Sequence, residues 1–272
     1  MKNPDRPLMP VVFIGHGNPM LTIGNNRYAR SWEELGRKLP QPKAILVISA
    51  HWYIPEMRVT AMQTPRTIHD FYGFPDALFQ IEYPAAGNPE LAEQVADLLL
   101  PDKFAADYQW GLDHGAWAVL RHLYPHAQIP VIQVSLDLRK APEEHYRIGQ
   151  KLASLREEGV LIIGSGNIVH NLPSFDWREQ QKEPPSWAVD FEAWNRENLL
   201  SGKTEELAGY LSRGEMANLS APSPDHYLPL LYLAALKTPQ DEVNFPVEGF
   251  DGGTMSMLSV LLNPQTTSEV PA

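Results

Sequence analysis

The sequence predicts an α/β protein: one three-layer domain with a largely parallel or mixed central sheet and helices on both faces. Short apolar runs rich in Val and Ile alternate with helix-like stretches. That alternation builds a sheet covered on each side. The runs are near-continuous rather than alternating, as strands buried on both faces require. At 272 residues the chain is long enough to bury such a core. Its 25 prolines and 18 glycines are scattered instead of gathered into a linker. One domain over residues 1–272 is therefore expected, with 264–272 as a frayed tail.

Buried strands are expected at Val11–Ile14, Ala44–Ser49, Val131–Ser135 and Val160–Ile163. Met57–Met62 alternates more and reads as an edge strand, and Val243–Val247 as another strand. Helices are expected at Arg30–Leu39, Pro89–Leu100, Ala116–Tyr124, Pro142–Glu158, Trp187–Leu200 and Thr204–Leu211. The fourth has the best punctuation: Pro142 in the first turn, Glu143 and Glu144 after it, and Gly159 as a stop. The aromatic stretch Thr64–Pro84 reads as a long loop over the sheet edge, and Pro173–Ser186 as an exposed connector.

The formal charge of −11 argues against a nucleic-acid or anionic-membrane surface. The absence of cysteine excludes disulfides, thiolate metal sites and cysteine nucleophiles together. No stretch approaches the ~18 apolar residues of a membrane span. The start shows no signal-peptide pattern, so a soluble cytoplasmic protein is expected. Neither a Walker-type phosphate loop nor the Gly-x-Ser-x-Gly elbow is present.

Four histidines sit where an apolar run breaks into a turn or a helix begins. They are His16 in Gly15-His16-Gly17, His51 after Ile48-Ser49-Ala50, His170 after Gly164-Ser165-Gly166-Asn167, and His226 in Ser223-Pro224-Asp225-His226. In open α/β sheets ligands bind outside the carboxyl ends of the strands, and imidazole is the commonest metal ligand. A metal centre follows as the expectation. His16 and His51 could share one ion if their strands are neighbours about 5 Å apart. For His51 an ordinary strand exit is the competing reading, and for His170 and His226 a polar turn or first-turn residue.

His114 lies in Asp113-His114-Gly115, another turn into a helix. It is a candidate general acid/base or a capping residue, with Asp113 able to cap or to orient it. His69 could line a pocket. Rings adjacent to candidate residues, among them Trp52 and Tyr227, suit a planar and partly apolar substrate. His122, His126 and His145 read as solvated surface residues.

With these residues assembled, the chain resembles the class III extradiol ring-cleavage dioxygenases, and within them the 4,5-DOPA dioxygenase group. The matching stretches are Gly15-His16-Gly17-Asn18-Pro19-Met20, Ser49-Ala50-His51-Trp52, Thr67 to Pro75, Asp113-His114-Gly115-Ala116-Trp117, Gly164 to Asn171 and Asp225 to Leu231. The resemblance implies non-haem Fe(II), a catechol substrate and O2, with a muconic semialdehyde as product. It implies His16 and His51 as metal ligands, and His226 as a third where the wider superfamily has a carboxylate. His170 and His114 match the substrate-side acid/base pair, with His170 also a candidate fourth ligand if its ring swings close to the metal. Neutral imidazoles also suit Zn(II), so a zinc-dependent hydrolase is the alternative and a non-enzymatic binding protein a third reading.

Overall fold

The computed structural model describes residues 8–100, 104–178 and 182–265. Its strands are Val11–Gly15 (β1), Ala44–Ile54 (β2), Met57–Thr60 (β3), Phe104–Asp107 (β4), Val131–Asp137 (β5), Val160–Gly166 (β6), Asp241–Val247 (β7), Phe250–Asp251 (β8), Met255–Ser256 (β9) and Ser259–Pro264 (β10). Its α-helices are Arg27–Lys38 (α1), Asp76–Phe79 (α2), Pro89–Leu98 (α3), His114–Leu123 (α4), Pro142–Lys151 (α5), Ser154–Glu158 (α6), Ser186–Ser201 (α7), Glu215–Ser220 (α8) and Leu228–Ala235 (α9). Three 3-10 segments, Pro19–Thr22, Leu172–Ser174 and Thr204–Arg213, complete the set.

Eight strands form one sheet in the order β4-β3-β5-β2-β6-β1-β10-β7. The centre, β5-β2-β6-β1, is parallel, whereas β3 meets β5 and β10 meets β1 in antiparallel sense. The sheet is therefore mixed around a parallel core. Side chains alternate between faces along each strand, and the two cores follow that period. Val11, Phe13, Leu46, Ile48 and Ile162 pack on the face of α5, α7 and α9 with Ile148, Phe191 and Leu230. Val12, Ile14, Ile45, Val47 and Ile163 pack on the opposite face with Trp32 of α1 and Trp117 of α4.

Several boundaries differ from the sequence reading. Met57–Thr60 is interior, because the short β4, which the sequence did not suggest, pairs beyond it and forms the edge. β10 reaches Pro264, past the start expected for a frayed tail, because Pro264 still pairs with Asp241; the rest of that tail lies outside the described residues. The helix expected over 142–158 is split into α5 and α6. Leu152 N–H bonds back to Gly149, which tightens the end of α5, and Gly159 stops α6 at a left-handed φ of 88°.

α1 starts three residues early, where the Asn26 side chain caps Ala29 N–H. α3 ends at Leu98 rather than Leu100. The sequence places a helix start at Ser223-Pro224 with Pro229 breaking or kinking it, whereas α9 begins at Leu228. Pro229 instead occupies the first turn, where its missing N–H costs nothing. Thr64–Pro84 is largely irregular as expected, interrupted by the one-turn α2.

His145 is fully buried, contrary to its reading as a surface residue. Its ring nitrogens lie 3.0 Å from the Tyr232 hydroxyl and 3.2 Å from the Asp137 carbonyl, so its polarity is satisfied inside. His122 is half-buried beside Glu33 and Thr22, while His126 is exposed.

Candidate active site

The carboxyl ends of β1, β2 and β6 deliver three histidines to one edge of the sheet. His16 follows β1, between Gly15 and Gly17. A Cβ at Gly15 would meet the Met257 backbone at 2.8 Å, and Gly17 has φ of 64°, so both positions require glycine. The His16 N–H donates to Gly166 O at 3.0 Å, which ties this turn to the end of β6.

His51 does not end its strand. β2 continues to Ile54, and its pairing with β5 shifts register between Ile48 and Tyr53. A bulge of this kind re-aims side chains beside active sites. Gly164-Ser165-Gly166, expected as a turn, is the last stretch of β6, and His170 lies four residues beyond it.

The other two histidines come from helix starts. His114 is the first residue of α4, whose N-cap Asp113 accepts from Ala116 N–H at 3.1 Å. Asp113 also accepts from the Ser49 hydroxyl at 2.7 Å and from the Gln133 amide. Burial and the nearby Asp70 push its carboxyl up to about 6. His226 sits in the turn before α9, and its carbonyl accepts from Asn167 N–H at 2.9 Å.

All five rings meet. The centroid of His16 lies 4.9 Å from His51, 5.6 Å from His114 and 5.3 Å from His226. His51 lies 3.9 Å from His114 and 5.0 Å from His226. His170 stacks on His226 at 3.5 Å with the planes 3° apart. Ring nitrogens of His16, His51 and His114 fall within 4.8 Å of one another. Burial, reinforced by the neighbouring imidazoles, drives His16, His51 and His170 well below the usual histidine range. All three rings are neutral near pH 7.

Most of these rings are held by their Nδ1 atoms. His16 Nδ1 is 3.0 Å from Ser165 Oγ, whose own hydrogen goes to Gly115 O at 2.6 Å, so the hydroxyl accepts from His16. His114 Nδ1 donates to Asp70 Oδ2 at 2.9 Å, and His226 Nδ1 to Asp225 Oδ2 at 2.5 Å. His51 Nδ1 lies 3.4 Å from Asp70 Oδ2. With protons on Nδ1 of His16, His114 and His226, their Nε2 lone pairs remain free. The sequence reading named neither Ser165, Asp70 nor Asp225 as an anchor. The acid adjacent to His226, and the acid adjacent to His69, were the available signals.

His16 Nε2 and His51 Nε2 face each other at 3.1 Å. Were both rings protonated on Nδ1, two lone pairs at that distance would repel unless a cation lay between them. The edge of a tetrahedral site with ~2.0 Å metal–nitrogen bonds is roughly 3.3 Å. The donor set thus fits a divalent transition metal.

Three expected substrate contacts are not in the cluster. Trp52 is buried and stacks on Trp110 at 5.5 Å; it neighbours His51 on a strand, where successive side chains point to opposite faces. Tyr227 is fully buried, and its hydroxyl donates to Asn195 Oδ1 at 2.8 Å. His69 lies behind Phe71 and donates from Nε2 to Ile81 O at 3.0 Å. Phe71, 5.4 Å from His114 and edge-on to it, is the ring that flanks the histidines instead.

Residues 13–262 match the family described as the catalytic LigB subunit of aromatic ring-opening dioxygenase. The chain belongs to this family. It is 47% identical over 256 residues to the 4,5-DOPA dioxygenase extradiol of Escherichia coli K12, covering 93% of this chain and 94% of the relative. The 4,5-DOPA dioxygenase extradiol of Beta vulgaris is 39% identical over 250 residues, covering 90% and 92%. A crystal structure of an uncharacterized protein from Escherichia coli K12 superposes with a TM-score of 0.81 at 41% identity, covering 94% of this chain and all of that one. This LigB-family chain is thus an extradiol-type ring-opening dioxygenase, and membership favours that chemistry over the zinc hydrolase. Among the described residues no helix is long and apolar enough to cross a membrane.

Proposed function

We propose that this LigB-family protein opens a catechol of the DOPA type beside its diol, using O2 and Fe(II), to give a muconic semialdehyde. His16, His51 and His226 would hold the metal. The observation that carries this reading is the pair of Nε2 atoms of His16 and His51 facing one another at 3.1 Å beside the other three histidines. When bound, the metal would supply a Lewis acid that acidifies the diol and a redox centre for O2.

The protein's own groups supply the proton handling. His170 is neutral because of burial, so it can take a hydroxyl proton from the diol and return it as the ring opens. His114 directs a basic Nε2 inward because Asp70 holds its Nδ1. Phe71 closes one side with an apolar ring that fits a planar substrate. Both atoms of O2 enter the product, so no external reductant is consumed.

In a second reading His114 is the third ligand in place of His226. It draws on the 4.8 Å cluster of His16, His51 and His114 nitrogens.

Anaerobic purification, reconstitution with Fe(II) or Zn(II), and addition of a catechol panel under O2 test the proposal. A yellow product with one O2 consumed per catechol, seen with iron, is expected. The absence of O2 uptake with every catechol would overturn it.

A further inference from the structure

Asp70 lies in the irregular aromatic segment before α2, yet that segment is firmly held. Ile68 N–H donates to Leu112 O at 2.7 Å, Leu112 N–H to Arg66 O at 2.9 Å, and Trp117 Nε1 to Ile68 O at 2.8 Å. The chain at 66–70 is thereby clamped along residues 112–117, and the Asp70 carboxylate has a defined position. Its Oδ1 accepts from the His114 backbone N–H at 2.8 Å, one of the donors that a helix start leaves without an intrahelical partner. Its Oδ2 accepts from His114 Nδ1 at 2.9 Å and lies 3.4 Å from His51 Nδ1. His51 comes from β2 and His114 from α4. One carboxylate therefore faces histidines from two elements, and their rings are in contact at 3.9 Å.

We propose that Asp70 is a positioning residue that sets the Nδ1–H tautomer of both His51 and His114, directing both Nε2 lone pairs to the centre. A carboxylate accepts only, so a ring nitrogen hydrogen-bonded to it must carry the proton, as His114 Nδ1 does at 2.9 Å, and the same carboxylate draws a proton to His51 Nδ1 at 3.4 Å. A histidine left to solvent is free to place the proton on Nε2, which would block that nitrogen as a ligand or a base. The two functions of the site, holding the metal through His51 and handling protons through His114, then depend on one group. This rests on the assignment of those two roles above.

The tautomers are read directly by long-range nitrogen–proton NMR on the metal-free protein, with His51→Gln and His114→Gln assigning the signals. Wild type is expected to show Nδ1–H on both rings. Asp70→Ala is expected to move both toward Nε2–H and to weaken Zn(II) binding about 10–100-fold, the usual effect of removing such a partner. If Asp70→Ala does not fold, Asp70→Asn keeps an acceptor for the backbone N–H. It is then expected to weaken Zn(II) binding and to shift at least one ring. Unchanged tautomers, or Zn(II) affinity within about twofold of wild type, would overturn the proposal. If the tautomers and Zn(II) binding respond as stated but no catechol is turned over, the dioxygenase assignment fails and Asp70 keeps its role.

Discussion

The backbone N–H of Asn167 donates to the carbonyl of His226 at 2.9 Å, so the end of β6 and the turn before α9 are in direct contact. Gly166 makes that contact possible. A Cβ at residue 166 would run into the His226 carbonyl oxygen, with the His226 carbonyl carbon 3.1 Å away. Both partners are backbone, so neither can rotate aside. Gly166→Ala is expected to displace His226, weaken metal binding, and cost about 1–3 kcal/mol of stability as overpacking. Metal titration and thermal unfolding of the variant check this; an unchanged metal affinity would show that His226 does not need this position.

The five histidines separate by what their loss removes. His16→Ala and His51→Ala are expected to lose the metal, because they take away the facing pair of Nε2 atoms. His170→Ala is expected to keep most of the metal and lose turnover, by about 10²–10⁴-fold for a general acid/base. His226→Ala against His114→Ala decides the third ligand. Metal content by elemental analysis, set beside O2 uptake, reads all five; an empty site in His170→Ala would make that residue a ligand.

A buried histidine of α5, outside the cluster, contributes to acid stability. Burial lowers His145 to about 4, against the partial opposition of its bond to Asp137 O. In the unfolded chain it titrates near 6.5. Its folded value is depressed, so its contribution is present above about pH 6.5 and is lost as pH falls toward about 4. The loss is on the order of 3 kcal/mol over that window. Urea unfolding across this range is expected to show a smaller pH dependence for His145→Gln than for wild type. Parallel curves would refute the assignment.

Arg156 and Asp241 form a buried ion pair that joins α6 to β7. Arg156 is 1% exposed; it donates to both Asp241 oxygens at 2.8 and 2.6 Å and to the carbonyls of Met9 and Leu236. Asp241→Ala strands the guanidinium and is expected to cost about 3–5 kcal/mol. Chemical denaturation measures it. A loss below about 1 kcal/mol would mean that solvent reaches Arg156.

The parallel core was legible because strands buried on both faces are near-continuous apolar runs, as in Ala44–Ser49 and Val160–Ile163. β4 was not legible. Phe104-Ala105-Ala106-Asp107 is short and partly exposed, with no pattern of its own, and exists because β3 offers a pairing edge. The start of α9 was misplaced for a different reason: its hydrophobic run contains a proline whose harmlessness depends on where the helix starts. Trp52 and Tyr227 were drawn toward the site by adjacency to His51 and His226. Adjacent residues on a strand or in a turn commonly face opposite ways, and both rings went into the interior.

The sequence by itself determined the class of fold and the family chemistry. Hydrophobic period reports which segments become strands and helices, and the histidine-bearing turns report what those segments deliver. Only the tertiary structure decided which atom of each imidazole faces the centre. That choice belongs to Ser165, Asp70 and Asp225. Two of these partners are 149 and 44 residues from the ring they hold. A tautomer is set by whatever acceptor lies across a few ångströms of space, and spacing along the chain does not encode that distance.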